Sequence, residues 1–456
     1  MANILIKNAY LLTMDSECRV FREGSVLVED NAIKEAGNIE ETQLSGVDET
    51  IDAQGKIVMP GLINSHVHTS QQLGRGIGDD VPLLTWLHER TFPYESNMTE
   101  EDSYVSTLLC CLEQIRSGVT TFAEPGGQHV DGMGRGVSEA GIRGILAKSV
   151  MDGGEGLPEV WQKSMEEELQ TQVENHEKWH GKADGRIRTW FGLRTIFNNS
   201  DQLILRTKEL ADTNGIGVHM HVAEVEEEVK FAKETRGATT VEHLDNLGVL
   251  DKNFLAVHCV WMTDREIDIF AEKGVKVSHN PAAAMRVLGF PRIPEMMDKG
   301  VKVSIGTDGA PSNNRMTLID EMWLTSLIHK GRLHDPSVMP AEQIVKMVTR
   351  DGAETVLWDD EVGSLEPGKK ADLIIINPDS AAMLPLNDPI ANLVTSMHSS
   401  NVESVMCNGR WVMKENKILT LDEGGIVEEA KKRAASLVER AGIHIPDRFP
   451  VIEKKD

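Results

Sequence analysis

The pattern that organises this chain first appears in the stretch Pro60-Gly61-Leu62-Ile63-Asn64-Ser65-His66-Val67-His68. An apolar, strand-like run is followed there by two histidines with one residue between them. Since alternate residues of a strand face the same side, the imidazoles of His66 and His68 can reach one metal ion. Histidine pairs also occur by chance on half-buried strands, so the interpretation depends on the rest of the chain.

A second stretch of the same design is Gly217-Val218-His219-Met220-His221-Val222-Ala223-Glu224. His219 and His221 share one face of an alternating strand, and only one of them needs to bind a metal. Glu224 lies just past the strand end, where a carboxylate can face a bound water. It can equally be the first acidic residue of a helix, a position where carboxylates are favoured.

Two later apolar strands also end in a residue that can bind a metal. Leu255-Ala256-Val257 leads to His258, and Val303-Ser304-Ile305-Gly306-Thr307 leads to Asp308. Each residue, taken singly, can be a polar group that is satisfied at the rim of a fold. Together with the two histidine pairs, they form a set of potential ligands at the ends of four strands.

The middle of the chain alternates short apolar strands with longer helical stretches, which predicts βα units around a parallel sheet. Eight strands are enough for a (β/α)8 barrel, in which the loops after the strands build the active site. We therefore expect an α/β fold whose potential ligands converge on one mouth. The candidate strands end near His68, Glu124, Asp152, Ile196, Glu224, His258, Asn280 and Asp308.

The two ends of the chain consist of short apolar pieces broken by Asp, Gly and Asn, a pattern typical of small β units. We predict that residues 1–59 and 363–420 form one β-sandwich, with the metal-dependent barrel at 60–362 inserted between them. Residues 421–456 are predicted to hold a C-terminal helix, from about Gly424 to Ala441, and a tail.

Composition excludes several functional classes. Acidic residues outnumber basic ones by 72 to 47, a net charge of −25, which opposes binding to nucleic acid or to an anionic membrane. Five cysteines occur without a CxxC pair, which predicts neither disulfides nor a thiolate metal site. No apolar run is long enough to cross a bilayer and the start lacks the pattern of a signal peptide, so we expect a cytoplasmic protein.

The motifs, taken together, resemble those of the amidohydrolase superfamily. Within it, the chain is similar to the branch that holds methylthioadenosine/S-adenosylhomocysteine deaminases and s-triazine hydrolases. The resemblance covers nearly the whole chain, with its motifs in the expected order. The motifs that carry it are PGLINSHVH, HMHVAE, AVHC, SHNP, GTDGAPSNN and the closing GSLEPGKKADLIII.

The resemblance implies a metal-dependent (β/α)8 hydrolase and a role for each residue of the set. Glu224 would shuttle protons, and His258 would orient the water or polarise the ring. The HxxE spacing favours His221 over His219 as a ligand. The implied ligands of one divalent ion, zinc or alternatively iron, are His66, His68, His221 and Asp308.

One metal ion is expected rather than two. Relatives with two ions carry a bridging carboxylated lysine at the end of the fourth strand. The corresponding stretch here, Arg188-Thr189-Trp190-Phe191-Gly192-Leu193-Arg194-Thr195-Ile196, contains no lysine.

The reaction implied is attack of metal-bound hydroxide on an amino-bearing carbon of a nitrogen heterocycle. A divalent ion lowers the pKa of a bound water from near 16 to roughly 7. Asp308 can take the proton of that water, and Glu224 can protonate the ring nitrogen and then assist the leaving amine. His258 can stabilise the charge on the attacking oxygen.

The substrate is predicted from the segment that begins at Trp86 and from three charged residues. Glu95 falls where nucleoside deaminases place a carboxylate on the ribose hydroxyls. Their arginine after strand 3 appears here as Lys148, and their histidine on strand 4 as Arg194, which can bind substrate or form a structural ion pair. An adenosine-type nucleoside is the leading substrate, and an s-triazine, guanine-like or pterin-like aminohydrolase or chlorohydrolase is the alternative.

Two further readings stay open at this point. A non-catalytic binding protein on the same fold would lack some ligands, and none is missing here. A cyclic amidase would use the same water and would yield a ring-opened product. His279 and Asn280 either contact the substrate or pack at the barrel rim, and we expect a homo-oligomer.

Overall fold

The structure is a computed structural model that describes residues 3–40, 46–81 and 83–452. Its strands belong either to a central barrel or to a sheet built by both chain ends. In chain order the strands are β1 (Ile4–Leu12), β2 (Val20–Glu29), β3 (Ala32–Gly37), β4 (Glu49–Asp52), β5 (Ile57–Pro60), β6 (Leu62–Asn64), β7 (Val119–Ala123), β8 (Arg143–Leu146), β9 (Ser149–Val150), β10 (Ile187–Thr189), β11 (Phe191–Leu193), β12 (Val218–Val222), β13 (Phe254–His258), β14 (Lys276–His279), β15 (Lys302–Ile305), β16 (Leu373–Ile376), β17 (Val402–Cys407), β18 (Arg410–Lys414) and β19 (Lys417–Ile418).

Helices follow most of the barrel strands, as βα units require. In chain order they are α1 (Leu83–Trp86), α2 (Phe92–Ser96), α3 (Glu100–Arg116), α4 (Val130–Ala140), α5 (Met165–Trp179), α6 (Asp201–Asn214), α7 (Glu226–Arg236), α8 (Thr240–Asn246), α9 (Asp264–Lys273), α10 (Pro281–Ala283), α11 (Ile293–Asp298), α12 (Ala310–Asn313), α13 (Leu318–Leu333), α14 (Ala341–Met347), α15 (Arg350–Thr355), α16 (Pro389–Thr395) and α17 (Glu423–Arg440). Shorter 3-10 or π turns occur at Thr69–Gly74, Leu87–Thr91, Glu159–Trp161, Ala284–Leu288 and Ser399–Asn401.

The barrel consists of parallel strands in sequential order. One run of paired strands is β6-β7-β8-β10, and the other is β9-β11-β12-β13-β14-β15. Since β8 and β9 share the third position and β10 and β11 the fourth, the two runs join into eight strand positions. The ring closes where the N–H of Ser65 donates to the carbonyl of Ile305 at 3.1 Å. The predicted barrel is confirmed, and each strand ends at the predicted residue or a few residues before it.

The second unit is a nine-stranded sheet in which the two ends of the chain pair with each other. Strand β5 is antiparallel to β16, with Pro60 opposite Leu373, and parallel to β1. The chain then runs from β5 into β6 with only Gly61 between them, so one extended segment belongs to both units. The predicted pairing of the two ends is confirmed, whereas the domain boundaries stay a prediction.

Alternate side chains of this sheet pack into two different cores, as the period of a strand requires. In β16, Leu373 and Ile375 pack within the sheet's own core, whereas Ile374 and Ile376 pack into the barrel core. All four side chains are buried. This explains why the strand is apolar without interruption.

The predicted C-terminal helix is present as α17, which begins and ends one residue earlier than predicted. Its apolar residues Ala430 and Leu437 pack against the region of Leu73 and Tyr94, close to the first barrel loop. Within the part of the chain that the structure describes, no helix is both long and apolar enough to cross a membrane.

Arg143 joins the barrel to the end sheet through a buried ion pair. Its Nε and Nη2 donate to the two carboxylate oxygens of Asp372 at 2.8 and 2.9 Å, and Nη2 also donates to Asn408 at 3.1 Å. Both charged side chains are 1% exposed. A bidentate pair of this kind is strong because both groups are charged and share two hydrogen bonds.

Replacing Arg143 by methionine therefore leaves a buried, unpaired carboxylate. We expect Arg143→Met to lower the free energy of unfolding by about 3–5 kcal/mol, as urea unfolding would measure. Arg410→Met is the matched control, because Arg410 is 60% exposed and lies 3.7 Å from an exposed carboxylate. Equal unfolding midpoints for the two variants would contradict the structural role of Arg143.

Candidate active site

Polar side chains meet at the carboxyl ends of the barrel strands, where active sites of such barrels are built. His66 and His68 follow β6, His221 lies in β12, His258 ends β13 and Asp308 follows β15. Each of the five residues is at most 7% exposed. The predicted convergence of these residues is therefore what the geometry shows.

Four ligand atoms face one another in this cluster. Oδ1 of Asp308 lies 3.3 Å from Nε2 of His66 and 3.5 Å from Nε2 of His68. Nε2 of His221 lies 3.4 Å from Nε2 of His68. An ion held about 2.0–2.1 Å from each of four tetrahedral ligands keeps those ligands about 3.4 Å apart. The spacing therefore fits one divalent ion.

The ring nitrogen of His221 that does not face the cluster forms a hydrogen bond, which leaves its other nitrogen available to bind an ion. Nδ1 of His221 donates to the carbonyl of Arg194 at 3.0 Å, which leaves the lone pair on Nε2. Burial lowers the pKa of His68 and of His221 well below the usual value, so both rings are neutral. Nε2 of His66 is buried without a hydrogen bond within the fold. An unpartnered buried nitrogen of this kind is expected of a metal ligand.

His219, which shares a strand face with His221, lies behind the cluster. Its Nε2 lies 3.0 Å from Nδ1 of His66, so a hydrogen bond between the two rings orients His66. Its burial is complete. The choice of His221 over His219 as a ligand agrees with this arrangement.

His258 lies beside the ligand atoms, with its ring orientation set by Asn280. The amide nitrogen of Asn280 donates to Nδ1 of His258 at 3.2 Å. Since Nδ1 accepts, Nε2 carries the ring proton, and it lies 3.7 Å from Oε1 of Glu224 and 4.0 Å from Oδ2 of Asp308. A ring nitrogen of His258 lies within 4.8 Å of ring nitrogens of His66 and His221, but with Nδ1 accepting and Nε2 protonated the ring offers no lone pair to an ion.

The backbone is strained at three places in the site. His258 and Asp308 have φ angles of 70° and 60°, and Ala223, directly before Glu224, has a φ of 50°. Residues with a side chain rarely adopt this left-handed conformation, and such strain is concentrated at functional sites. At these positions the left-handed backbone turns the side chains of Glu224, His258 and Asp308 toward one another.

The loop after β15 passes so close to strand β6 that only glycine fits at Gly306. A Cβ on Gly306 would lie 2.4 Å from Oδ1 of Asn280 and 2.8 Å from the backbone nitrogen of His66. The N–H groups of Thr307 and Asp308 both donate to the carbonyl of His66 at 3.0 Å. The first and fourth candidate ligands are thus fixed to each other through the backbone.

A cavity of about 720 Å³ opens above the cluster. Its floor includes His68, His221, Glu224, His258 and Asp308. Its walls include Trp86, Leu87, His88, Phe92, Asp152, Glu155, Arg194, Phe197, Phe231 and Arg236. Its volume is in the range of cavities that bind small molecules, and its walls combine aromatic surface with a few charged groups.

Of the predicted substrate contacts, Trp86 and Arg194 line this cavity. Glu95 lies behind it, where Nε2 of Gln71 donates to its carboxylate at 2.6 Å, and Gln71 itself reaches the cavity. Lys148 is buried outside the cavity in an ion pair with Glu168 of α5.

His279 and Asn280 lie one layer below the cavity floor. Nε2 of His279 lies 3.3 Å from Nε2 of His329, and Asn280 contacts His258 as described. Both residues are buried. They support the residues of the floor and do not line the cavity.

Sequence reasoning missed Glu124, which supports the loop that carries the first histidine pair. Its carboxylate accepts hydrogen bonds from Oγ1 of Thr69 at 2.6 Å and from the N–H of Gly126 at 3.1 Å, and lies 3.8 Å from Nδ1 of His68. Burial raises the pKa of Glu124 to about 7. The available signal was an acidic residue directly after the apolar strand β7.

Comparison with known proteins gives concordant results. The family model described as amidohydrolase family matches residues 57–412. A 5'-deoxyadenosine deaminase of Methanosarcina mazei is 39% identical over 96% of this chain and 99% of its own length. A 5-methylthioadenosine/S-adenosylhomocysteine deaminase of Pelotomaculum thermopropionicum is 37% identical over 96% of this chain and 100% of its own length.

Solved structures share the fold over the same length. An adenosine deaminase of Xanthomonas campestris with bound zinc superposes with a TM-score of 0.91 and 26% identity, over 96% of this chain and 99% of that one. An atrazine chlorohydrolase of Arthrobacter aurescens in complex with zinc superposes with a TM-score of 0.88 at 24% identity, over 94% of this chain and 100% of that one. Both the family model and the relatives extend across the barrel and its candidate ligands, so the resemblance is confirmed, and the chain belongs to the amidohydrolase family.

Proposed function

We propose that this chain is a metal-dependent deaminase of an adenosine-type nucleoside. The observation that carries the proposal is one cavity whose floor holds three of the four candidate ligands, His68, His221 and Asp308, together with Glu224. The fourth candidate ligand, His66, lies 3.3 Å from Asp308. Water replaces the amino group: a C–O bond forms at the ring carbon, the C–N bond breaks, and ammonia leaves.

His66, His68, His221 and Asp308 would hold one divalent ion, with zinc as the first choice and iron as the second. Three nitrogens and one oxygen suit both metals. Within 188–196 no lysine is available to bridge a second ion. When bound, the ion supplies Lewis acidity, which brings the pKa of a coordinated water toward about 7.

Glu224 is the proposed proton shuttle. Burial raises the pKa of its carboxyl, so a proton is retained closer to neutral pH than on an exposed glutamate. That proton can pass to the ring nitrogen beside the attacked carbon and make the ring a better electrophile. The Glu224 carboxylate can then take the proton of the hydroxyl that has added to the ring carbon and pass it to the leaving amine, and the proton held by Asp308 restores the starting state.

His258 and Asp308 are proposed to act on the attacking water. Because Asn280 fixes the proton of His258 on Nε2, that nitrogen donates a hydrogen bond to developing negative charge on oxygen. Oδ2 of Asp308 is the oxygen turned toward His258, and it is the proposed acceptor of the proton that the attacking water loses.

Arg194 is the proposed substrate contact in the cavity wall. The residue is 9% exposed, and among the described residues its guanidinium has neither an ion-pair partner nor a side-chain hydrogen bond within the fold. Arg194 lines the cavity, where its planar, five-donor group can bind a ligand with hydrogen-bond acceptors. This favours substrate binding over the structural ion pair.

The relatives favour a nucleoside over an s-triazine. Deaminases of adenosine-type nucleosides are 35–39% identical to this chain over nearly its full length. The atrazine chlorohydrolase is similar in fold at 24% identity. The finer choice among 5'-deoxyadenosine, methylthioadenosine and S-adenosylhomocysteine is left to experiment.

Cytoplasmic location, homo-oligomerisation and the lack of nucleic-acid or membrane partners are also proposed. A net charge of −25 supports the exclusion of polyanionic partners.

An ammonia-release screen of the zinc-loaded protein tests the proposal. We expect turnover with adenosine-type nucleosides and little with amino-s-triazines, guanine-like or pterin-like rings. Metal content measured on the same sample should be about one ion per chain. Turnover confined to another ring class, at that metal content, would overturn the nucleoside assignment.

Glu224→Gln should retain the metal and lose catalysis, because only the exchangeable proton is removed. We expect kcat to fall by about 100- to 10,000-fold, measured by ammonia release at saturating substrate. Glu226→Gln is the control, since Glu226 begins α7 with a side chain 48% exposed. A Glu224→Gln protein with wild-type kcat would contradict the assigned role.

His68→Ala should lose both the ion and the activity, because one of four ligands is removed. Metal analysis after dialysis should give clearly less than one ion per chain, whereas His334→Ala, at an exposed histidine, should match the wild type. Stoichiometric metal in His68→Ala would exclude His68 as a ligand.

A further inference from the structure

Glu228, in the first turn of α7, is a fully buried acid that the mechanism above does not use. It is the third residue of the helix, and its side chain turns back toward the end of strand β12. There it meets the turn that delivers Glu224. A buried carboxylate in such a place needs hydrogen-bond donors.

Two backbone donors meet this carboxylate. Oε1 accepts the N–H of Ala223 at 2.8 Å, and Oε2 accepts the N–H of Glu224 at 2.9 Å. Each oxygen therefore holds one of two consecutive amides. Such charge-assisted bonds are stronger than neutral ones.

The amides that Glu228 binds belong to a strained turn. Ala223 has a φ of 50°, a conformation that costs free energy in a residue with a Cβ and persists only when its surroundings hold it. On the other side, the carbonyl of Ala223 accepts the N–H groups of Val260 and Trp261 at 3.0 and 2.9 Å. The turn is thus held by the carboxylate at its amides and by the loop after β13 at its carbonyl.

We propose that Glu228 is a positioning residue for Glu224, an inference that rests on the proposed deamination. By accepting both amides of the turn, its carboxylate fixes the backbone from which the side chain of Glu224 reaches the cavity floor. Glu228 is outside the residues that line the cavity and outside the ligand cluster, so it acts on the site through the turn that carries Glu224.

The negative charge of Glu228 also affects Glu224, because it helps to raise the pKa of the Glu224 carboxyl. Burial is the main cause that raises the pKa of Glu224, and the nearby carboxylates of Asp308 and Glu228 raise it further, against the effect of His258. Burial also raises the pKa of Glu228 itself to about 7, while the two amides oppose this effect.

A carboxylate near a helix N-terminus can also serve stability alone. Glu242, the third residue of α8, illustrates that role: its carboxylate accepts the N–H of Thr239 at 3.2 Å and its hydroxyl at 3.1 Å. None of these atoms belongs to the cavity or to its floor. Glu242→Gln is therefore a control with the same chemical change at the same helix position.

The test compares Glu228→Gln with Glu242→Gln in the zinc-loaded enzyme. A glutamine offers one oxygen to one amide and turns N–H donors toward the other, so the turn loses half of its support. We expect kcat of Glu228→Gln to fall about 10- to 100-fold, with KM within about threefold of the wild type and metal content unchanged. Glu242→Gln should keep the wild-type kcat.

Hydrogen exchange of the peptide that holds Ala223 and Glu224 provides a readout without turnover. Its two amides should exchange faster in Glu228→Gln and at the wild-type rate in Glu242→Gln. Glu228→Asp serves if Glu228→Gln fails to fold: it retains the charge but withdraws the oxygens by one methylene, and it should also lower kcat at constant KM.

The outcomes separate this proposal from the one on which it rests. An active wild type whose Glu228 variants keep full kcat, or lose it only as much as Glu242→Gln does, would overturn the positioning role. A wild type without nucleoside turnover would overturn the proposed function, and unchanged exchange of the two amides would overturn the positioning role independently.

Discussion

Closure of the barrel between its first and last strands is the constraint on which the site depends. The carbonyl of His66 accepts two consecutive amides from the loop after β15, and Gly306 allows the two segments to approach so closely. His66 and Asp308, which come from opposite ends of the barrel sequence, are thereby held at 3.3 Å. A larger residue at 306 would separate the strands and, with them, the ligand atoms.

A layer of buried polar groups behind the ligands completes the arrangement. His219 orients His66, the carbonyl of Arg194 orients His221, and Asn280 fixes the proton of His258. Each contact selects one ring nitrogen for the hydrogen bond and leaves the other for chemistry. The site is thus prepared by backbone and neighbouring side chains, as expected when a metal and a proton donor must act at fixed positions.

The clustering of the candidate ligand residues could be predicted from sequence because local rules place them. His66 and His68 lie two residues apart just after β6, and the order of βα units brings the strand ends to one mouth. The positions of Glu95 and Lys148 could not be predicted in this way. Whether a charged side chain faces the cavity depends on a partner distant in sequence, such as Glu168 for Lys148 or Gln71 for Glu95. No local pattern encodes such a choice.

The shared strand β5 has a consequence for the order in which the protein folds. Its antiparallel partner β16 lies at the far end of the chain, so the end sheet acquires that pairing only after Leu373 has been synthesised. During synthesis, the edge of β5 stays open while the segment just after it already has to start the barrel. Pairing over such a sequence separation is slow and exposes strand edges to other chains. Efficient production of this protein therefore depends on the last strands reaching the first before a neighbouring nascent chain does.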